Sequence, residues 1–219
     1  MQSTPAPRAR GPRSDGETTR LAILEVAGQV FAERGFADAT SKEICARAEV
    51  NLAAVNYHFG SREGLYEAVL VEAHQHMLKI EVMRSVAEST LAPQEKLRKI
   101  LTGIVQQVNG PLAHWGAKVV IRELLAPTKH APVLVHKAIG PKAMLMVGIA
   151  SELVGLPPTH PSLQRALFFT MAPCMAMLMA PREMRHSLFP ALAQDPAEIA
   201  EDLLTYVLAG LAAIRTERS

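Results

Sequence analysis

The stretch NLAAVNYHFGSREGLY, residues 51–66, gathers side chains whose chemistry suits a nucleic-acid surface. The Asn56 amide presents a donor and an acceptor side by side, so it can bond an adenine edge at two points. The methyls of Ala53 and Ala54 can meet thymine methyls, and their small size lets a helix backbone approach a major groove closely. Tyr57 and His58 offer donors to phosphate oxygens. Thr40, Lys42, Asn51 and Arg62 stand where helices begin, and helix N-termini favour phosphates through free N–H groups and the helix dipole. These nine residues form the expected DNA-binding set. The alternative for Asn56 and Tyr57 is plain exposure on a small helical bundle.

Such a surface needs short helices to aim it. Leu21, Ile23, Leu24, Ala27, Val30 and Phe31 recur at helical spacing, and Gly35 follows as a C′ residue. Thr40 or Ser41 caps a second helix, KEICARA, with Ile44 and Ala48 facing inward. Glu49-Val50-Asn51 connects it to a third helix ending near Phe59, with Asn51 as cap. At about 3.6 residues per turn, Val55 and Phe59 share a core-facing side with Leu52 beside them. The opposite side carries Ala53 and Tyr57, with Ala54 and Asn56 at its edges. Two short helices joined by a tight turn and braced by a preceding one make a helix-turn-helix. Ser61 then caps a fourth helix expected from Arg62 to about Val86, with Leu65, Val69, Ala73 and Leu78 apolar and Glu63 and Glu67 near its start.

The remaining sequence predicts longer helices: Pro93 to about Val108, Leu112–Leu125, about Pro132–Val154, Pro161–Ala180 and Pro196–Ile214. With 49% apolar and 20% charged residues in 219, and no strand pattern, the chain reads as globular and all-α. The net charge of +2 is too small to argue for a polyanion partner by itself. Residues 1–16, rich in Pro, Ser and Gly and carrying Arg8, Arg10 and Arg13, read as a flexible basic arm without the apolar core of a signal peptide. A helix-turn-helix domain over 17–62 and a helical domain over 63–219 follow. Cys45 and Cys174 are isolated, which fits a reducing cytoplasm. The uncharged run Ala166–Pro181 is shorter than a membrane span and is broken by Pro173, so a buried helix is expected.

Met171, Met175 and Met179 fall at i, i+4 and i+8, with Cys174 beside them. Soft sulfur suits copper(I), yet a Met stripe is more often adaptable apolar packing, so neither a metal nor a cofactor is expected. Pro173 should kink this helix and free a carbonyl near Phe169. Trp115, Glu123, Met144, Phe168, Met171 and Met175 are the expected walls of a cavity for a small apolar or aromatic effector, with His114 a further candidate. Small residues Ala209, Gly210, Ala212 and Ala213 on the last helix permit close helix approach, as in a four-helix dimer interface. Nucleophile-elbow, phosphate-loop and HExxH motifs are missing, and His74 and His76, two apart, should face different ways. An all-helical enzyme or a protein-binding adaptor remain the alternatives.

Residues 18–70 resemble the N-terminal domain of the TetR family of transcriptional regulators, through ILEVAGQVFAERGFADATSKEICARAEV, then YHF, then SREGLY. VNLAAVNYHFGSREGLYEAV is most similar to a CecR-like subgroup. The resemblance implies an all-helical homodimer, a repressor more often than an activator, with a C-terminal ligand domain governing operator binding. Two departures stand out: Glu49 occupies the turn where the family often has Gly, and Leu52 replaces a common Lys.

Overall fold

The structure is a computed structural model that describes residues 12–77, 79–109, 115–193 and 195–216. Among them all regular structure is helical, as the composition implies. The helices are α1 (Pro12–Asp38), α2 (Ser41–Arg47), α3 (Leu52–Phe59), α4 (Arg62–Met77), α5 (Ile80–Ala87), α6 (Pro93–Asn109), α7 (Trp115–Leu125), α8 (Ala131–Leu134), α9 (Gly140–Val154), α10 (Pro161–Met179), α11 (Arg182–Leu188) and α12 (Pro196–Thr216). The chain forms two compact units, Met1–Val69 and Leu70–Ser219.

In the first unit the apolar periodicity of α1 becomes its core: Ile23, Leu24, Ala27, Val30 and Phe31 are buried. The helical path breaks at Gly35, whose φ of 79° suits a residue without Cβ. Thr40 then caps α2, its Oγ1 accepting from the Glu43 N–H at 3.1 Å, and the Asn51 side chain caps α3 by accepting from the Ala54 N–H at 2.9 Å. α1 starts at Pro12, inside the segment expected to be a flexible arm, and proline is well suited to a first helical position. Arg8, Arg10 and the side chain of Arg13 lie outside the described residues.

The expected fourth helix is two. It stops at Met77, Lys79 is extended (φ −70°, ψ 128°), and the Gln75 side-chain oxygen accepts from the Ile80 N–H at 3.2 Å to start α5. Leu78 lies outside the described residues. The division of the chain also falls later than residue 62, inside α4. Leu65, Tyr66 and Val69 belong to the first core, with the Tyr66 ring 4.8 Å from that of Phe31 and 4.7 Å from that of Phe36.

In the second unit α12 packs along α6, and α9 packs against α5, α6, α10 and α12. Leu101, Val105, Ile149, Leu163 and Leu204 are central to the shared core. Between α8 and α9 the helix widens into a π segment, Val135–Ile139. Pro141 has no N–H and its ring crowds the preceding turn, and the Gly140 N–H reaches back to the Val135 carbonyl instead. The stretch Ala131–Val154 is long and apolar enough to cross a bilayer by length and composition, but its packing partners are the other helices of this core. α10 continues through Pro173. The start expected for α7 at Leu112, with His114, lies outside the described residues, and α11 with a short 3-10 turn at Pro190–Ala193 was not foreseen from the sequence.

Glu49, in the turn between α2 and α3, has φ 53°, a left-handed conformation that costs a non-glycine residue about 1 kcal/mol. Glu49→Gly should therefore raise stability by up to about 1 kcal/mol. Urea unfolding followed by circular dichroism measures this; an unchanged or lower midpoint would show that the Glu49 side chain offsets the strain.

Candidate DNA interface and ligand cavity

α3 carries the outward chemistry. Val55 is 1% exposed and anchors the helix, while Tyr57 is 84% exposed. Ala53 and Asn56 are exposed, and Ala54 and His58 half-buried. Phe59 is half-buried, with the Arg20 guanidinium 5.5 Å from its ring. Leu52, expected beside Val55 in the core, is 51% exposed: at the first position of the helix it sits beyond the reach of the core face. Thr40 and Asn51 have their side-chain oxygens engaged in the two caps, while their positions at helix starts are as expected; Lys42 is exposed. Arg47 ties α2 to α1, 2.9 Å from Glu33 and 2.7 Å from Glu43.

Arg62 departs from its expected role as a phosphate clamp. Its Nε donates to the Ala39 carbonyl at 2.9 Å, its guanidinium also donates to the Phe36 carbonyl, and it lies 4.3 Å from the centre of the Phe36 ring. The break at Gly35 leaves these carbonyls without helical donors, and a planar fork of N–H groups satisfies several at once.

The second unit holds a cavity of about 570 Å³ among α4, α5, α6, α7, α9 and α10. Its walls are mostly apolar: Met77, Met83, Ile104, Val108, Val120, Met146 and Leu178 among others. Phe168, Met171 and Met175 line it as expected from the sequence. Trp115, Glu123 and Met144 do not. Trp115 is buried with its ring 5.4 Å from that of His76, which is itself a wall residue. Glu123 is turned to the following loop, accepting from the Thr128 N–H at 2.9 Å and the Thr128 hydroxyl at 2.8 Å. Met144 is 63% exposed, away from the cavity. Cys174 is a wall residue whose thiol burial pushes up to about 11, so it stays protonated. Among the described residues no cluster of three or more His, Cys, Asp or Glu could hold a metal.

His74 and His76 both reach the cavity, although their spacing suggested different faces, because both stand in the last turn of α4 where several helices converge. His76 Nε2 lies 3.1 Å from Glu72. His74 accepts instead: Lys142 Nζ lies 2.8 Å from its Nδ1 and 2.9 Å from its carbonyl oxygen. Burial, then the neighbouring Lys142 charge, lowers His74 to about 4, so at neutral pH it is an uncharged acceptor with its proton on Nε2. Burial lowers Lys142 to about 8, against a weaker opposing pull from Glu81.

Two family models divide the chain between them. Residues 23–69 match the bacterial regulatory proteins of the tetR family, and residues 93–214 match the C-terminal domain of the HTH-type transcriptional dual regulator CecR. The chain belongs to the TetR family. Its C-terminal domain is CecR-like, and family members are transcriptional regulators rather than enzymes, which sets aside the helical-enzyme alternative. Curated relatives agree over part of the chain. UidR of Escherichia coli K12 is 30% identical over 66 residues, covering 30% of this chain and 34% of that protein. Mb3439c of Mycobacterium bovis is 40% identical over 70 residues, covering 32% and 37%. The chain thus spans between about a third and a half of the length of the curated relatives it matches. Solved structures share the whole fold. A TetR-like regulator from Rhodococcus sp. RHA1 aligns with TM-score 0.64 at 20% identity, over 93% of this chain and 99% of that one. FadR from Bacillus subtilis, in complex with stearoyl-CoA, aligns with TM-score 0.64 at 17% identity, over 87% and 98%.

The His74 site makes stability depend on pH. Above about pH 6.5 the imidazole is neutral in folded and unfolded chains alike. Between about pH 6.5 and 4 the unfolded chain takes up a proton that the folded one refuses, so stability falls as acid is added. His74→Gln keeps an acceptor for Lys142 without a titrating ring. Denaturant unfolding of the second unit at pH 7 and pH 5 should show a loss of about 2 kcal/mol in the wild type that the variant largely lacks. Equal losses in the two proteins would count against this assignment.

Proposed function

We propose that this chain is a cytoplasmic, ligand-responsive transcriptional repressor that binds a pseudo-palindromic operator as a homodimer and is released by a small apolar or aromatic effector. The observation that carries the proposal is the outward side of α3: Asn56 and Tyr57 are exposed on a helix whose anchor, Val55, is fully buried. Small Ala53 and Ala54 leave room for close approach to a major groove, and the N-termini of α2 and α3, with Thr40, Lys42 and Asn51, suit flanking phosphates. Half-sites on one face of the duplex would follow from two-fold symmetry. The cavity supports the effector, which acts only through unequal affinities for the DNA-competent and released states. A protein-binding adaptor would give no shift of genomic fragments in a gel; the repressor does.

Asn56→Ala should leave stability nearly unchanged, as exposed substitutions usually do. Its operator affinity should fall by about 1–3 kcal/mol, with relaxed preference at one base pair. Tyr57→Phe should weaken binding evenly across sequences, as loss of a phosphate contact does. Val55→Ala should cost stability first, by opening a cavity. Fluorescence anisotropy on operator and scrambled duplexes separates these outcomes; wild-type binding by folded Asn56→Ala and Tyr57→Phe would end the assignment of α3.

Dimerisation draws support from α12, where Ala209, Gly210, Ala212 and Ala213 are exposed. A Cβ built at Gly210 meets nothing within 4 Å of its own chain. Gly210→Leu should therefore spare the protomer and weaken association by about tenfold or more, through overpacking of a close helix contact. Sedimentation at micromolar concentration reads this directly, and a wild-type monomer under those conditions would refute the dimer.

A further inference from the structure

We propose that the cavity takes an amphipathic monoanion, its acidic head group paired with the Lys142 ammonium and its apolar body lying along the methionine-bearing wall of α10. This narrows the effector class proposed above and rests on that reading of the cavity.

Lys142 is 4% exposed and lines the cavity. An ammonium has three N–H donors, and two of them are used on His74, on Nδ1 at 2.8 Å and on the carbonyl oxygen at 2.9 Å. Both acceptors are neutral. No described carboxylate forms an ion pair with Lys142, whereas the other buried lysine, Lys96, has Glu152 at 3.2 Å. Buried charges are ordinarily paired, because desolvation of an unpaired one is expensive.

No carboxylate in ion-pair contact receives the third N–H, since Glu81 acts on the ammonium only from farther away, and Lys142 lines the cavity. A neutral hydrocarbon filling the space would strand that donor, and a cationic ligand would add repulsion. A ligand oxygen carrying one negative charge removes both costs with a charge-assisted bond. The remaining polar wall groups call for no second charge: Gln107 and Gln164 are neutral, and His76 faces Glu72. Leu167, Phe168, Met171 and Met175 of α10 offer a deformable apolar surface. The titratable groups around Lys142 are His74 and His76 on α4, Glu81 on α5 and Cys174 on α10. At pH 7 His74 and the Cys174 thiol are uncharged, so the head group meets Lys142 as the dominant cation.

Decanoate, decanol and decyltrimethylammonium, matched in chain, test this by calorimetric titration of the full-length protein. At pH 7 decanoate should bind about tenfold or more tighter than decanol, and the quaternary ammonium more weakly than either. In Lys142→Met the preference for decanoate should vanish while decanol still binds. Should that variant fail to fold, the wild type decides: its preference for decanoate should shrink as pH rises from about 7 to about 9.5, when the ammonium discharges, with decanol unaffected. Equal binding of decanoate and decanol by the wild type, or a preference that survives both the substitution and alkaline pH, overturns the head-group assignment and leaves the apolar-effector reading standing. Binding of none of the three overturns that reading as well.

Discussion

A helix that stops leaves carbonyls without helical donors, and in this chain their satisfaction sets the geometry of the DNA-binding unit. α1 breaks at Gly35, and the carbonyls of Phe36 and Ala39 receive the guanidinium of Arg62. Because Arg62 opens α4, the same contact fixes where that helix starts and brings Tyr66 against Phe31 and Phe36. α2 and α3 are held in the interval, each capped by its own side chain and joined through a strained Glu49. With the frame so determined, α3 needs only Val55 as a full anchor, and its other side is left free for a partner.

α4 links the two kinds of chemistry in one element. Arg62, Leu65 and Tyr66 serve the first core, while His74, His76 and Met77 at its other end form part of the cavity wall. At the end of α4, Gln75 starts α5 through a single side-chain bond, and Lys79 before it is extended.

The architecture was largely legible because it rests on periodicity and caps. The inward positions of α1, the caps Thr40 and Asn51 and the anchor Val55 follow from spacing and side-chain type alone. What escaped depends on distance along the chain. Arg62 reads as a cation at a helix start, and only folding brings it to carbonyls more than twenty residues upstream. Glu123 looked like a polar group for a ligand, yet Thr128 consumes it. Of the methionine stripe, Met171 and Met175 reach the cavity with Phe168 while Met179 does not, and Trp115 and Met144 share helices with wall residues but not their faces. Lys142 had a signal that was there to be used: a cation in the apolar run GPKAMLMVGIA, where a charge needs a reason.

That reason bears on how a regulator can be switched at all. A ligand that fits two conformations equally well shifts nothing, however tightly it binds. Apolar walls rich in methionine adapt readily, so hydrocarbon contact alone discriminates weakly between conformations. A buried ammonium does not adapt in this way. Its cost depends steeply on whether His74 stays within 2.8 Å and on whether an anion occupies the space beside it. An anionic ligand therefore favours whichever arrangement of α4 and α9 keeps Lys142 and the head group together, and leaves the arrangement that separates them with an unpaired charge. Under the proposed reading, the apolar surface would supply affinity and the Lys142 charge would supply the difference between states on which regulation depends.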